Sequence, residues 1–225
     1  MAEKWEEPNQ VIYLGASIGY GLYDDTGKGW VARLFEKINE AKPGSYHYAN
    51  LAHAGDRSID VKNRLNTDTM SRTANILMLE ICANDVNRPK PEDAHSIPDH
   101  MRQRVWTEIL NTASNMRDLA APDQPKYSQI FLFSAFPKNE EVVAQRLKEN
   151  PELLWTDNKS IQDLNDQVAV IAGTFERVTF IDIYGGLLTN EFMEALEYDG
   201  VHPNTRGHEI IADLAYRFIK PHLDL

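Results

Sequence analysis

Residue types that together move protons and make covalent bonds lie near the two ends of the chain. Leu14-Gly15-Ala16-Ser17-Ile18-Gly19 sets a serine between glycines just after a short apolar run. A hydroxyl is a weak nucleophile until a neighbouring base takes its proton. A candidate base stands far downstream in Asp199-Gly200-Val201-His202-Pro203-Asn204, immediately before an amphipathic stretch. An Asp and a His three apart on one tight loop suit a carboxylate that orients an imidazole and an imidazole that accepts the serine proton. Taken singly, each has an ordinary alternative: Ser17 as a turn residue, Asp199 as a turn cap, His202 packed on Pro203.

Two more segments could stabilise negative charge, Asn50-Leu51-Ala52-His53-Ala54-Gly55-Asp56 and Cys82-Ala83-Asn84-Asp85. Acyl transfer passes through a tetrahedral oxyanion, and donors fixed in advance at that point lower the barrier. A glycine such as Gly55 lets a backbone N–H come close, and the Asn84 carboxamide adds a second donor.

Something must bring these segments together. Apolar runs of strand length at Val11–Leu14, Tyr46–Leu51, Ile76–Ile81, Ile130–Ser134 and Val178–Ile183 alternate with stretches of helical period. That alternation predicts repeated βα units on a parallel sheet. Trp30, Val31, Leu34, Phe35 and Ile38 form one helical stripe, and Ile161, Leu164, Val168, Ile171 and Phe175 another. Ile210, Leu214 and Phe218 lie beside Ile211, Ala215 and Ile219 in a last one. The expected fold is a single doubly wound, flavodoxin-like, five-stranded parallel sheet with helices on both faces, spanning residues 1–225 as one domain. Four of the chemical segments then follow strand ends or precede the last helix, where open parallel sheets bind ligands. Two insertions, Pro89 to Pro98 and Pro137 to Trp155, also follow strand ends and are placed to wall a pocket. Tyr20, Tyr23, Trp155 and Tyr198 are candidate walls, with core packing as the alternative for each.

With these blocks in this order, the sequence resembles the SGNH hydrolases, also called the GDSL family of esterases and lipases. Gly15-Ala16-Ser17 stands where that family has Gly-Asp-Ser, Asn50 to Ser58 resembles its Gly block, Cys82 to Asp85 its Gly-x-Asn-Asp block, and Asp199 to His202 matches its last block. The resemblance implies Ser17 as nucleophile, His202 as general base and then acid, and Asp199 orienting His202. It implies an oxyanion hole from the backbone N–H of Ser17, the backbone N–H of Gly55 and the side-chain amide of Asn84. No cofactor and no metal are expected, and the implied substrate is a small-molecule ester: an acylated sugar, a lipid or a short-chain ester. There are two departures. Ala16 replaces the aspartate before the serine, so carboxylate contacts that pin the nucleophile loop are expected to be missing. Cys82 replaces a glycine and is expected to add bulk beside the pocket. They motivate a rival reading, a non-catalytic binding module on an esterase-like fold.

Other readings compete less well. Gly15 to Gly21 also looks like the cofactor turn of short-chain dehydrogenases, with Tyr216 and Lys220 satisfying their YxxxK. However, Leu22 to Gly29 reads as a loop where a dinucleotide fold needs a helix N-terminus. Gly21 to Gly29 misses P-loop spacing by one residue, and Gly29 stands where a magnesium-binding Ser or Thr is required. His95, Asp99 and His100 sit in a Pro-rich polar stretch that solvation explains without a metal.

The 225 residues carry 42% hydrophobic and 25% charged side chains, which excludes wholesale disorder, collagen and coiled coil. The net charge of −11 repels phosphate backbones and anionic lipid surfaces, so nucleic acid is not an expected partner. No apolar run approaches the roughly 18 residues of a spanning helix. Cys82, the only cysteine, can form no intrachain disulfide. With no signal peptide legible in Met1 to Gln10, a cytoplasmic location is expected, a processed secreted form staying open. Asn158-Lys159-Ser160 matches the glycosylation triplet and reads as an ordinary surface turn.

Overall fold

Strand β1 (Asn9–Leu14) occupies the interior of a parallel sheet, flanked by β2 (Tyr46–Asn50) and β3 (Ile76–Glu80). Strands β4 (Gln129–Phe133) and β5 (Val178–Ile181) continue outward from β3, giving the order β2-β1-β3-β4-β5. Each strand begins and ends within two residues of its expected position. This computed structural model describes residues 8–87, 99–119, 121–153, 156–223 and 225.

Side chains alternate across a strand, and both faces are covered, so β1 reads as one apolar run, as strands of a covered parallel sheet do. Val11 and Tyr13 face a layer built from α2 (Gly29–Ala41) and α9 (Thr205–Ile219), where Trp30, Leu34, Phe35 and Ile38 meet Ile211, Ala215 and Ile219. Ile12 and Leu14 face the opposite layer of α3 (Ser58–Thr69), α4 (Asp99–Asn115) and α6 (Asn158–Ala172), with Leu65, Trp106, Ile109, Leu164 and Val168 in its core. The helical stripes read from the sequence are these buried faces. Shorter helices lie among the connections: α1 (Ser17–Tyr20), α5 (Glu140–Glu149), α7 (Tyr184–Leu187) and α8 (Asn190–Glu194).

The strand order reverses between β1 and β3. The chain leaves β1 for β2 on one side and returns to place β3 on the other, so the loops after β1 and β3 diverge and leave a crevice. Ser17 follows β1 and Asn84 follows β3, so the topology sets both at that opening. Among the described residues, no helix is long and apolar enough to cross a membrane.

Candidate active site

Ser17 is the first residue of the one-turn helix α1, which Gly21, at φ 91°, ends at once. Leu22 to Lys28 then run as the loop expected from the sequence, before α2. Asp24 organises that loop: its carboxylate accepts from the backbone N–H of Gly29 at 2.7 Å and of Thr26 at 3.0 Å, and it pairs with Arg33. It also accepts from the Thr205 hydroxyl at 3.0 Å, tying the loop to the start of α9, just after His202. These hydrogen bonds, led by the backbone donors, hold its carboxyl below the usual carboxylate range although burial opposes them.

The distant ends of the chain meet here. The Ser17 hydroxyl lies 2.9 Å from His202 Nε2, and His202 Nδ1 lies 2.6 Å from Asp199 Oδ2. Asp199 Oδ1 also accepts the backbone N–H groups of Val201 at 2.8 Å and His202 at 2.9 Å. Burial works against the Asp199 carboxylate but is outweighed by the His202 side chain and these backbone donors, and its pKa is lowered. An ionised Asp199 accepts only, so Nδ1 carries the imidazole proton and Nε2 presents its lone pair to Ser17. Gly200 makes the loop possible. It sits at φ +69°, and a Cβ there would come within 2.9 Å of the Asn139 carbonyl oxygen.

Asn84 and Gly55 also arrive near each other. The Asn84 amide donates to the carbonyl of Asp56 at 2.9 Å, one residue beyond Gly55, which stands at φ +87°. The Gly55 loop is held to the serine loop by His53 N–H on the Gly15 carbonyl at 3.1 Å. Arg64 spans both, donating to Asp56 at 2.7 Å, to the Leu51 carbonyl at 2.7 Å and to the Gly15 carbonyl at 3.3 Å. Ser17, Asn84, Asp199 and His202 line one pocket of about 220 Å³. Ile81, Phe136, Val143, Leu147, Leu153 and Val201 are among its apolar lining.

Four expectations need correction. The serine loop does not lack a carboxylate: Glu80, 3% exposed at the end of β3, fills the role expected of the missing aspartate. It accepts from the buried Tyr13 hydroxyl and from the backbone N–H groups of Ala16 and Gly19. Gly15 and Gly19 leave room for it, since a Cβ would stand 2.8 Å and 2.6 Å from Glu80 Oε2, respectively. Burial pushes the Glu80 carboxyl up to about 7, against these hydrogen bonds.

Cys82 adds no bulk to the pocket. It is fully buried in the layer beneath α3 and α4, while Ile81, Ala83 and Asn84 face the cavity. Nor do the tyrosines wall it. Tyr20 is 59% exposed, whereas Tyr23 lies against His202 with ring centroids 5.4 Å apart and edge-on to Tyr198, over which Arg146 sits at 4.9 Å. Trp155, the Pro89 to Pro98 insertion, His95 and the Asp99 side chain lie outside the described residues, and His100 is exposed.

The second insertion does form wall, contributing Lys138, Val143, Arg146, Leu147 and Leu153. Asn158 is no ordinary surface turn: its side chain pairs with both the N–H and the carbonyl of Lys138, each at 2.8 Å. In the dehydrogenase pair, the Lys220 ammonium, just past the end of α9, sits over the ring of Tyr216 on α9, and neither residue lines the pocket. Asp85, the last residue of the Asn84 block, is structural. It caps the start of α3 through Ser58 N–H at 2.7 Å and accepts from Trp106, and burial pushes its carboxyl up to about 6.

Solved structures share this architecture. The Axe2 acetylxylan esterase of Geobacillus stearothermophilus superposes with a TM-score of 0.69 at 20% identity, over 94% of each chain. A lipase/acylhydrolase from Enterococcus faecalis reaches 0.72 at 18% identity, over 96% of this chain and 97% of that one. LAE5, an alpha/beta hydrolase enzyme from the metagenome of Lake Arreo, reaches 0.70 at 15% identity, over 96% and 98%. No curated protein matches the sequence. The family model of the GDSL-like Lipase/Acylhydrolase family matches residues 13–210, from the end of β1 into α9. The chain therefore belongs to the GDSL-like lipase/acylhydrolase family, and it is an ester-bond hydrolase.

Proposed function

We propose that the protein is a serine esterase that cleaves carboxylic esters through an acyl-enzyme, with Ser17 as nucleophile, His202 as base and acid, and Asp199 holding the imidazole. The observation that carries this reading is the hydrogen-bonded file from the Ser17 hydroxyl through His202 to Asp199, at 2.9 Å and 2.6 Å. His202 Nε2 takes the hydroxyl proton as Oγ bonds to the ester carbonyl carbon. The oxyanion is met by the backbone N–H of Ser17, the backbone N–H of Gly55 and the amide of Asn84. Collapse breaks the bond to the alcohol oxygen, which leaves with the proton from His202. Water then repeats the sequence on the acyl-serine and releases the acid.

The apolar pocket of about 220 Å³ favours a small acyl group over a long chain. The likeness to an acetylxylan esterase points to an acetylated sugar as the first ester to try. The binding-module reading loses its motive, because Glu80 occupies the place of the missing carboxylate and Cys82 stays out of the pocket. The test is hydrolysis of a chain-length series of p-nitrophenyl esters beside acetylated xylooligosaccharides. The reading expects turnover that falls as the acyl chain lengthens and vanishes in Ser17→Ala. Inertness towards the whole series, or turnover surviving in Ser17→Ala, overturns it.

A further inference from the structure

Lys138 is 5% exposed, lines the pocket that contains Ser17, and forms no ion pair among the described residues. A buried ammonium without a carboxylate is costly, and the Asn158 clamp on its main chain keeps it in place. Its Nζ donates to Asn87 Oδ1 at 3.0 Å. Asn87 Nδ2 donates in turn to Asn84 Oδ1 at 2.8 Å, and Asn84 Nδ2 donates to the Asp56 carbonyl at 2.9 Å. An ammonium has donors only and a carbonyl oxygen accepts only. Those two ends therefore give the chain of amides a single sense, in which Asn84 keeps its second N–H for the pocket and turns its own oxygen away.

We propose that Lys138 is a positioning residue for the oxyanion site, acting through Asn87 to fix the facing of the Asn84 carboxamide and to polarise the N–H that it offers to substrate. The inference rests on the assignment of Asn84 to the oxyanion hole. Polarisation runs in the useful direction. Positive charge drawn towards the Asn84 oxygen makes its N–H a stronger donor, and hydrogen bonds in such chains reinforce one another. Reversing both amides would turn a carbonyl oxygen towards the developing anion. Without the ammonium, only the Asp56 bond opposes that reversal.

Burial lowers the Lys138 pKa to about 8, with Asp199 partly offsetting it. The other charged or titratable groups around the cavity are Glu80 from β3, Arg146 from α5 and His202 from the loop before α9. A neutral amine can accept as well as donate, so the amide chain loses its enforced sense above that pH. Activity then gains an alkaline limb that depends on Lys138.

The test is a double-mutant cycle on p-nitrophenyl acetate, a neutral ester, with Lys138→Met and Asn84→Ala. Lys138→Met should lower kcat on the order of tenfold with KM little changed, below the 10² to 10³ expected for losing the donor itself. In the Asn84→Ala background the same substitution should cost less than about twofold, because its route of action is gone. The alkaline limb near pH 8 should flatten in Lys138→Met. Asn87→Ala breaks the chain while leaving the lysine, and should reproduce the loss of kcat if Lys138→Met fails to fold. Equal losses from Lys138→Met in both backgrounds overturn the proposal, as does a loss confined to KM or to esters with an anionic group, which would make Lys138 a direct substrate contact. If Asn84→Ala itself leaves kcat unchanged, the oxyanion assignment fails instead.

Discussion

Replacing Asp199 by Asn changes one atom of the site and reverses the logic of its hydrogen bonds. The carboxylate accepts three donors: Nδ1 of His202 at Oδ2, and the backbone N–H groups of Val201 and His202 at Oδ1. The carboxamide oxygen can keep the two backbone donors, so the loop stays folded. The NH2 group then faces Nδ1, and two donors cannot meet across 2.6 Å. The imidazole relieves the conflict by moving its proton to Nε2, which removes the lone pair that would take the Ser17 proton. A wrong tautomer of this kind lowers kcat on the order of 10⁴-fold, equivalent to about 5 kcal/mol of barrier. The assay is steady-state hydrolysis of p-nitrophenyl acetate by purified wild-type and Asp199→Asn protein, with thermal melts to show that the fold survives. A loss under about tenfold in a well-folded variant would refute the tautomer argument.

Other consequences test the surroundings of that file. The Glu80 pKa is raised from 4.5 to about 7 in the fold, so protonation favours the native state. The resulting stability is full below pH 4.5 and is lost as pH rises through about 7. Relative to Glu80→Gln, the wild type should gain about 3 kcal/mol on going from pH 7.5 to pH 4.5 in urea titrations; a difference independent of pH would contradict it. Gly200→Ala forces a left-handed backbone on alanine and drives its Cβ at Asn139 and Val142. A destabilisation of about 1–3 kcal/mol with a fall in kcat should follow, and an unchanged melt would show that the loop relaxes freely. Burial keeps the Cys82 thiol protonated, so Ellman's reagent should react with it only as the protein unfolds; rapid reaction of native protein would place it at the surface.

The parts of this molecule that were legible in the sequence are those encoded locally. Apolar runs such as Ile76 to Glu80 and stripes such as Trp30 to Ile38 carry their period in consecutive residues, so strand positions and buried helix faces could be read directly. Ser17, Asn84, Asp199 and His202 stood out because each occupies a short segment with a recognisable spacing. Their supports did not, because each acts across the fold. Glu80 reads as the polar end of a strand, and only the pairing of β1 with β3 brings it beneath Ala16 and Gly19. The one local signal was a lone carboxylate closing an otherwise apolar run. Lys138 and Asn87 are 51 positions apart, and neither reveals the other. Arg64 lies on an unremarkable helical turn yet braces Gly15, Leu51 and Asp56. Cys82 and the tyrosines were misjudged for a related reason: nearness to a strand end does not say which way a side chain turns.

Covalent acylation of the Ser17 oxygen is the step on which the proposed mechanism turns. Rapid acid quenching of the enzyme during turnover of p-nitrophenyl acetate, followed by intact mass measurement and peptide mapping, addresses it directly. Wild-type protein should carry one acetyl group on the peptide containing Ser17, and Ser17→Ala should carry none there. Robust turnover with an adduct on another side chain would rule out Ser17 as the nucleophile.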